Sequence, residues 1–142
     1  KAIDIWSIGC VFAELLGRRP LFPGGDYINQ IRCIIDIIGS PSEEDLLTIQ
    51  NEDARRYVHS LGYKPKVPLA TRFPDAHPDA IDLLERMLTF SPYKRITVDE
   101  ALMHPYLASL HDPACEPPCP PFQFNEDYEE LSKDKYRGKS FF

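Results

Sequence analysis

The apolar residues at the start of the chain are spread around a helix instead of forming one stripe. Between residues 3 and 16 they are Ile3, Ile5, Trp6, Ile8, Val11, Phe12, Leu15 and Leu16. A helix that is apolar most of the way round is normally buried in the centre of a protein. Gly17 predicts its end. A central helix this early in the sequence suggests that preceding residues are missing.

A one-sided pattern follows, with isoleucines at helical spacing between residues 28 and 38. Asp26 lies just before this pattern and Gly39 just after it. Aspartate is favoured as the N-cap of a helix, and glycine as the residue that ends one. The pattern therefore predicts an amphipathic helix from Tyr27 to Ile38.

Capping and apolar patterns predict further helices at Glu43–Ile49, Glu52–Leu61, Pro78 to about Phe90, and Thr97 to His104. Residues 40–43 and 97–100 each have capping-box spacing, and Pro41 fits the first helical position. Three prolines between residues 62 and 76 predict an extended link. No strand pattern emerges. The predicted fold class is mainly α, irregular after Leu107, with a weak helical pattern after Leu131.

The composition fits one soluble domain. The chain has 142 residues, of which 43% are hydrophobic and 27% charged. No apolar run approaches the roughly 20 residues that a membrane helix needs, so no membrane partner is expected. Cys10 and Cys33 lie in apolar helical patterns, where free thiols are expected. His111, Cys115 and Cys119 lack a fourth ligand and a recognised zinc spacing, so no metal site is predicted.

The negative charge is concentrated near the carboxyl end. Residues 111–130 contain six acids and no Lys or Arg, while 16 acids and 16 bases elsewhere cancel. This segment therefore accounts for the net charge of -6. One interpretation of this segment is a solvated tail. The other is a segment that lies along the protein surface, because Phe122, Phe124 and Tyr128 are interleaved with the acids; its carboxylates would then face a basic partner.

Catalytic machinery is absent from the sequence pattern: it contains no Gly-rich phosphate loop, nucleophile elbow or two-histidine zinc motif. Two charged residues instead require partners. Asp4 lies in an apolar stretch and is either an N-cap or a buried acceptor of hydrogen bonds. Arg95 is either a surface arginine or a buried guanidinium that needs a carboxylate.

Five separated motifs resemble the carboxy-terminal part of the large lobe of eukaryotic protein kinases: DIWSIG at 4–9, PLFPG at 20–24, LLERML at 83–88, RI at 95–96 and HP at 104–105. Three further features are similar to mitogen-activated protein (MAP) kinases: GSP at 39–41, an insert at about 42–73 with ARRY at 54–57, and a tail with HD, EP and FQF between 111 and 124. The resemblance implies the helical C-terminal part of a protein-kinase-like (α+β) large lobe at 1–110, and a C-terminal extension at 111–142.

The resemblance also implies structural roles for Asp4, Trp6, Gly9 and Arg95, which we call the support residues. Asp4 is expected to accept hydrogen bonds from the backbone of a His-Arg-Asp catalytic loop. Arg95 is expected to pair with the Glu of an Ala-Pro-Glu motif. Both partners would precede residue 1, as would the Gly-rich loop, the ATP-pairing lysine, the Asp-Phe-Gly magnesium ligand and the activation segment. No catalytic, cofactor-binding or metal-binding residue is therefore assigned to this chain.

Two docking sites are implied as well. An acidic docking site matches Asp112 and Glu116, but Cys115 stands where the family typically has an acid, which should weaken it. A hydrophobic docking pocket for Phe-x-Phe motifs matches Tyr27, Ile28, Ile31 and Tyr57. From the residues alone, Tyr27, Ile28 and Ile31 on the second helix are better explained as ordinary core, and the resemblance reverses this interpretation.

The function implied is that of a MAP kinase, which transfers the γ-phosphate of ATP, with Mg²⁺, to Ser or Thr of proteins in a signalling cascade. This chain would supply scaffold and docking surfaces and would be inactive alone, binding no cofactor itself. Expected partners are a dual-specificity MAP kinase kinase, phosphatases and protein substrates, with no nucleic acid, in cytoplasm and nucleus. The alternative is a non-catalytic binding module that uses the acidic tail and a groove at Tyr27 and Tyr57.

Overall fold

The computed structural model describes residues 2–112 and 114. These residues form seven α-helices and no β-strand, as the mainly α prediction required. No helix in this range is long and apolar enough to cross a bilayer. The helices are α1 (Ala2–Gly17), α2 (Tyr27–Ile38), α3 (Glu43–Leu46), α4 (Glu52–Ser60), α5 (Leu69–Arg72), α6 (Pro78–Met87) and α7 (Val98–Leu102).

Helix α2 has the predicted bounds and the predicted caps. The Asp26 side chain accepts a hydrogen bond from the backbone N–H of Asn29, and the N–H of Gly39 donates to the carbonyl of Ile35 at 3.0 Å. Gly39 has φ 85°, and a Cβ there would lie 2.8 Å from the backbone nitrogen of Lys66. Both the conformation and the close approach of the neighbouring segment therefore require glycine.

Helix α3 begins at Glu43 as predicted, but its N-cap differs from the prediction. Its N-cap is Ser42, whose hydroxyl accepts from the N–H of Asp45 at 3.1 Å, so Pro41 is not the first helical residue. The Ser40 hydroxyl instead accepts from the N–H of Lys64 and donates to the carbonyl of Gly62. Ser40 thus joins two loops, and the cap moves to the next serine. The helix is also shorter than predicted and ends at Leu46.

Two further boundaries were wrong. The predicted extended link at 62–76 contains α5, a single turn that follows Pro68 and buries Leu69. Helix α6 ends at Met87 instead of near Phe90. The second capping box is confirmed, because the side chains of Thr97 and Glu100 each cap the other's backbone N–H.

Helix α1 is buried on one face only within the described part of the chain. Ile5, Gly9 and Ala13 are buried, and α1 packs against α6. The opposite face is exposed and apolar, and is formed by Ile3, Ile8, Val11 and Leu15. The predicted burial all round the helix is therefore not provided by residues 2–112.

Three apolar clusters organise this region. The largest joins α1, α2, α5 and α6 with Leu21 and Phe22 of the intervening loop. The second joins α1 and α6 to Ile96 and Ala101. The third, which we call the insert cluster, packs Ile35 of α2 against Leu46 of α3 and Val58 of α4. Residues Lys1–His111 form one compact unit, and a second begins at Asp112.

Candidate functional site

The Arg95 guanidinium is half-buried and bound to the backbone. It donates to the carbonyl oxygens of Ala2 (2.6 Å), Thr89 (3.0 Å) and Phe90 (3.0 Å). Burial lowers the pKa of Arg95 from its usual value. These bonds use three of the five N–H donors of a guanidinium, and no carboxylate of the described residues forms an ion pair with it. Arg95 thereby ties the loop after α6 to the beginning of α1.

Trp6 lies directly under this guanidinium. The carbon at the centre of the Arg95 guanidinium is 5.0 Å from the centroid of the indole, a cation–π geometry. The indole also stacks on Phe22, with ring centroids 5.7 Å apart and planes 10° from parallel. Trp6 therefore connects Arg95 to the loop between α1 and α2. The support role of Trp6 and Arg95 stays a prediction.

Gly9 lies at the closest approach of α1 to α6. A Cβ at Gly9 would be 3.0 Å from both Met87 Cβ and Leu88 Cδ2. A side chain at this position would push the helices apart, because Met87 Cβ is fixed to the α6 backbone. Glycine is therefore required for packing here, although it is in ordinary helical conformation.

Asp4 is the third residue of α1, and its side chain is exposed. It is therefore not the N-cap, and the described residues do not bury it. A carboxylate in the first turn of a helix is stabilised by the positive end of the helix dipole. The expected acceptor role toward a catalytic loop stays a prediction.

A polar contact that sequence reasoning missed joins α6 to the end of α7. His104 is buried, and its Nδ1 accepts the backbone N–H of Tyr106, so its Nε2–H donates to Asp82 Oδ2 at 2.9 Å. This hydrogen bond, with a smaller contribution from Arg86, lowers the pKa of the Asp82 carboxyl. The two residues are 22 positions apart, and no periodic pattern links them.

Two of the hydrophobic docking residues lie on the surface near the start of α2. Tyr27 is 81% exposed, and Ile28 is partly exposed. Both line a shallow depression together with Asp26, Asn29 and Arg32. The interpretation of Tyr27 as ordinary core is therefore excluded within residues 2–112.

Of the other two hydrophobic docking residues, one packs on the insert cluster and one is next to it in sequence. Ile31 packs against the insert cluster, which includes Val58. Tyr57, the neighbour of Val58, is half-buried on α4. Its hydroxyl oxygen is inaccessible to solvent and has no hydrogen-bond partner among the described residues. The structure thus places Tyr27 and Ile28 in a surface depression and packs Ile31 on the insert cluster, whereas Tyr57 is half-buried beside Val58 on α4.

Of the acidic docking residues, Asp112 is described and exposed, and its Oδ1 accepts the N–H of Ala114 at 3.0 Å. Glu116 and Cys115 lie outside the described residues. No group of three or more His, Cys, Asp or Glu side chains suited to a metal ion occurs in the described range. Cys10 and Cys33 are free thiols, and burial raises the pKa of Cys10.

The mainly α fold agrees with a family comparison. The protein kinase domain model matches residues 1–107. The chain therefore belongs to the protein kinase domain family.

Its similar relatives are MAP kinases. It is 62% identical to extracellular signal-regulated kinase 1 of Dictyostelium discoideum, over 94% of this chain and 26% of that protein. It is 51% identical to mitogen-activated protein kinase 5 of Oryza sativa subsp. indica, over 99% of this chain and 38% of the relative. It is 50% identical to mitogen-activated protein kinase 3 of Arabidopsis thaliana, over 96% of this chain and 37% of the relative. These relatives confirm the resemblance, and the chain spans about a quarter to two fifths of their length.

Proposed function

We propose that the full-length protein containing this chain is a MAP kinase, which transfers the γ-phosphate of Mg²⁺-ATP to Ser or Thr of protein substrates in a signalling cascade. The observation that carries the proposal is 51% identity to mitogen-activated protein kinase 5 of Oryza sativa subsp. indica over 99% of the chain, together with 62% identity to extracellular signal-regulated kinase 1 of Dictyostelium discoideum over 94% of the chain. The chain covers only 26% of that relative, so ATP and Mg²⁺ would be bound by residues outside the chain. The chain itself would be catalytically inactive.

The role of the chain would be to support the catalytic region. Arg95 is held by three carbonyls and the Trp6 ring, so its remaining donors are well placed to fix a carboxylate of an activation segment. The exposed apolar face of α1 would pack against other parts of the kinase domain, since a monomeric soluble protein rarely leaves such a face uncovered.

The second role would be docking. Asp112 and Glu116 would attract Lys- and Arg-rich motifs of a dual-specificity MAP kinase kinase, phosphatases and substrates by charge complementarity. Tyr27, Ile28, Ile31 and Tyr57 would bind Phe-x-Phe motifs. The exposure of Tyr27 and Ile28 supports this, because large apolar side chains exposed side by side are typical of interaction sites. Signalling partners of this kind place the protein in cytoplasm and nucleus.

A second candidate is a non-catalytic binding module, which the same exposed Tyr27 and Ile28 would also serve. The intact mass of the native product distinguishes the two. A kinase should carry about 200 further residues for a small lobe and a catalytic loop. A native product with the mass of 142 residues would contradict the kinase proposal and support the binding module.

A further inference from the structure

A lysine from a distant part of the sequence pairs with two acids of the insert helix α3. Lys94 Nζ lies 2.8 Å from Asp45 Oδ1 and 3.0 Å from Glu44 Oε2. Lys94 belongs to the loop after α6, so this contact spans about 50 residues of sequence. The Asp45 side chain is only 16% exposed, whereas that of Lys94 is 48% exposed. The pair is therefore partly shielded from solvent, unlike an ordinary surface ion pair.

The lysine is presented from a rigid loop. Its neighbour Arg95 binds the carbonyls of Thr89 and Phe90 within the same loop and that of Ala2 in α1. The backbone N–H of Ile96 also approaches the carbonyl of Arg86 at 3.4 Å. A charged group on a fixed backbone loses less conformational freedom when it pairs than one on a mobile loop. Lys94 can thus hold α3 in one position.

The position of α3 bears on the hydrophobic docking residues. Leu46 follows Asp45 and is buried in the insert cluster against Val58, the neighbour of Tyr57. A continuous chain of contacts therefore runs from Lys94 through Asp45 and Leu46 to the insert cluster. Ile31 packs on this cluster, and Tyr57 is the neighbour of its member Val58 along α4.

We propose that Lys94 is a positioning residue for the hydrophobic docking pocket, acting through its ion pair with Asp45 and the packing of Leu46 in the insert cluster. This inference rests on the proposed docking function. Lys94 does not contact the docked peptide, so its effect is on the arrangement of the pocket walls. Loss of the pair lets α3 and α4 move relative to α2, and the pocket is then preformed in a smaller fraction of molecules.

Salt concentration is the natural probe of this contact. The hydrogen bond from Lys94 holds the pKa of the Asp45 carboxyl below its usual value. The ion pair therefore stabilises the folded protein fully when the pH is above the ordinary pKa of a carboxyl group. This stabilisation is lost only as the pH falls through the lowered pKa of Asp45, so the pair is intact near neutral pH. Salt, in contrast, screens a half-exposed pair at any pH.

The test measures binding of an uncharged Phe-x-Phe peptide to the full-length protein at about 0.05 M and about 0.5 M sodium chloride. We expect Lys94→Met to weaken binding about threefold at low salt and to remove most of the salt dependence. Lys94→Arg should retain the affinity, because a guanidinium can still pair with Asp45. Unchanged affinity and an unchanged salt slope in Lys94→Met would overturn the proposal.

Arg56→Met is the matched control. It also removes one positive charge from the insert region, but its partner Asp53 lies on the same helix three residues away. This variant should bind the peptide like the parent. An equal loss of affinity in both variants would show a general charge effect and would contradict the proposal.

Hydrogen exchange of the α3 and α4 backbone separates this inference from the docking function. Faster exchange there in Lys94→Met, without faster exchange in α6, supports the positioning role even if the parent binds no Phe-x-Phe peptide. In that case the docking function alone fails. Unchanged exchange in α3 and α4 would refute the role of Lys94 whatever the parent binds.

Discussion

Replacement of Gly9 by alanine tests whether the contact of α1 with α6 is as tight as the structure indicates. Two opposing effects decide the outcome. Alanine is favoured over glycine in the interior of a helix by about 1 kcal/mol. Against this, the new methyl group would approach Met87 Cβ and Leu88 Cδ2 to 3.0 Å, closer than carbon atoms normally pack.

The overpacking effect should be the larger one. Leu88 is a buried side chain, and Met87 Cβ cannot rotate away because it is bonded to the α6 backbone. The helices must then separate by a few tenths of an ångström. Overpacking of a core costs about 1–3 kcal/mol. After the gain in helix propensity is subtracted, Gly9→Ala should destabilise the protein by about 1 kcal/mol.

The assay is thermal unfolding of the full-length protein, followed by circular dichroism at the helix band. We expect the apparent Tm of Gly9→Ala to fall by about 2 °C. The control is Gly25→Ala, where a Cβ meets nothing within 4 Å and φ is not positive. That variant should be neutral or slightly stabilised. A Gly9→Ala protein that melts at or above the parent would refute the tight contact.

Three further predictions concern the support and docking residues. Arg95→Lys should lower the free energy of unfolding by about 2 kcal/mol in chemical denaturation, because one ammonium cannot satisfy three carbonyls in the same geometry; equal stability would contradict the network. Tyr57→Ala in the full-length protein should weaken binding of a Phe-x-Phe peptide in a titration, while binding of a Lys/Arg-rich peptide stays unchanged; if neither affinity changes, the pocket assignment is wrong. Asp112→Asn should raise the Kd for a Lys/Arg-rich docking peptide and flatten its salt dependence; equal salt slopes in variant and parent would count against the acidic site.

Local signals predicted the helices well where the cap and the apolar pattern agreed. Asp26, the isoleucine spacing and Gly39 all point to the same helix, and α2 has the predicted bounds. Residues 40–42 offer two serines on either side of a proline, so the pattern could not choose between them. A tertiary contact determines which serine caps the helix. Ser40 is hydrogen-bonded to Gly62 and Lys64, so Ser42 is the N-cap of α3.

Contacts between distant residues could not be read from the pattern. His104 and Asp82, and likewise Lys94 and Asp45, are joined only because the fold brings α6, α7 and the insert together. The sequence did identify Arg95 as a residue that needs partners. It could not show that these would be three carbonyls and the Trp6 ring, because those groups come from two separate segments.

The exposure of the hydrophobic docking residues also could not be predicted from the sequence pattern. Helical spacing alone could not separate the exposed Tyr27 from the packed Ile31, since both fit the apolar side of α2. The two residues differ because the insert helices cover one end of α2 and leave the other open. Placement of the insert, which depends on packing of Leu46 and Val58, therefore decides which residues a partner can reach.

The most direct test of the account is transfer of labelled γ-phosphate from Mg²⁺-ATP to a protein substrate by the full-length protein, compared with the 142-residue chain alone. The account predicts phosphoserine or phosphothreonine with the full-length protein after activation by its upstream kinase, and no transfer by the chain alone. Transfer by the isolated chain, or none by the activated full-length protein, would contradict it.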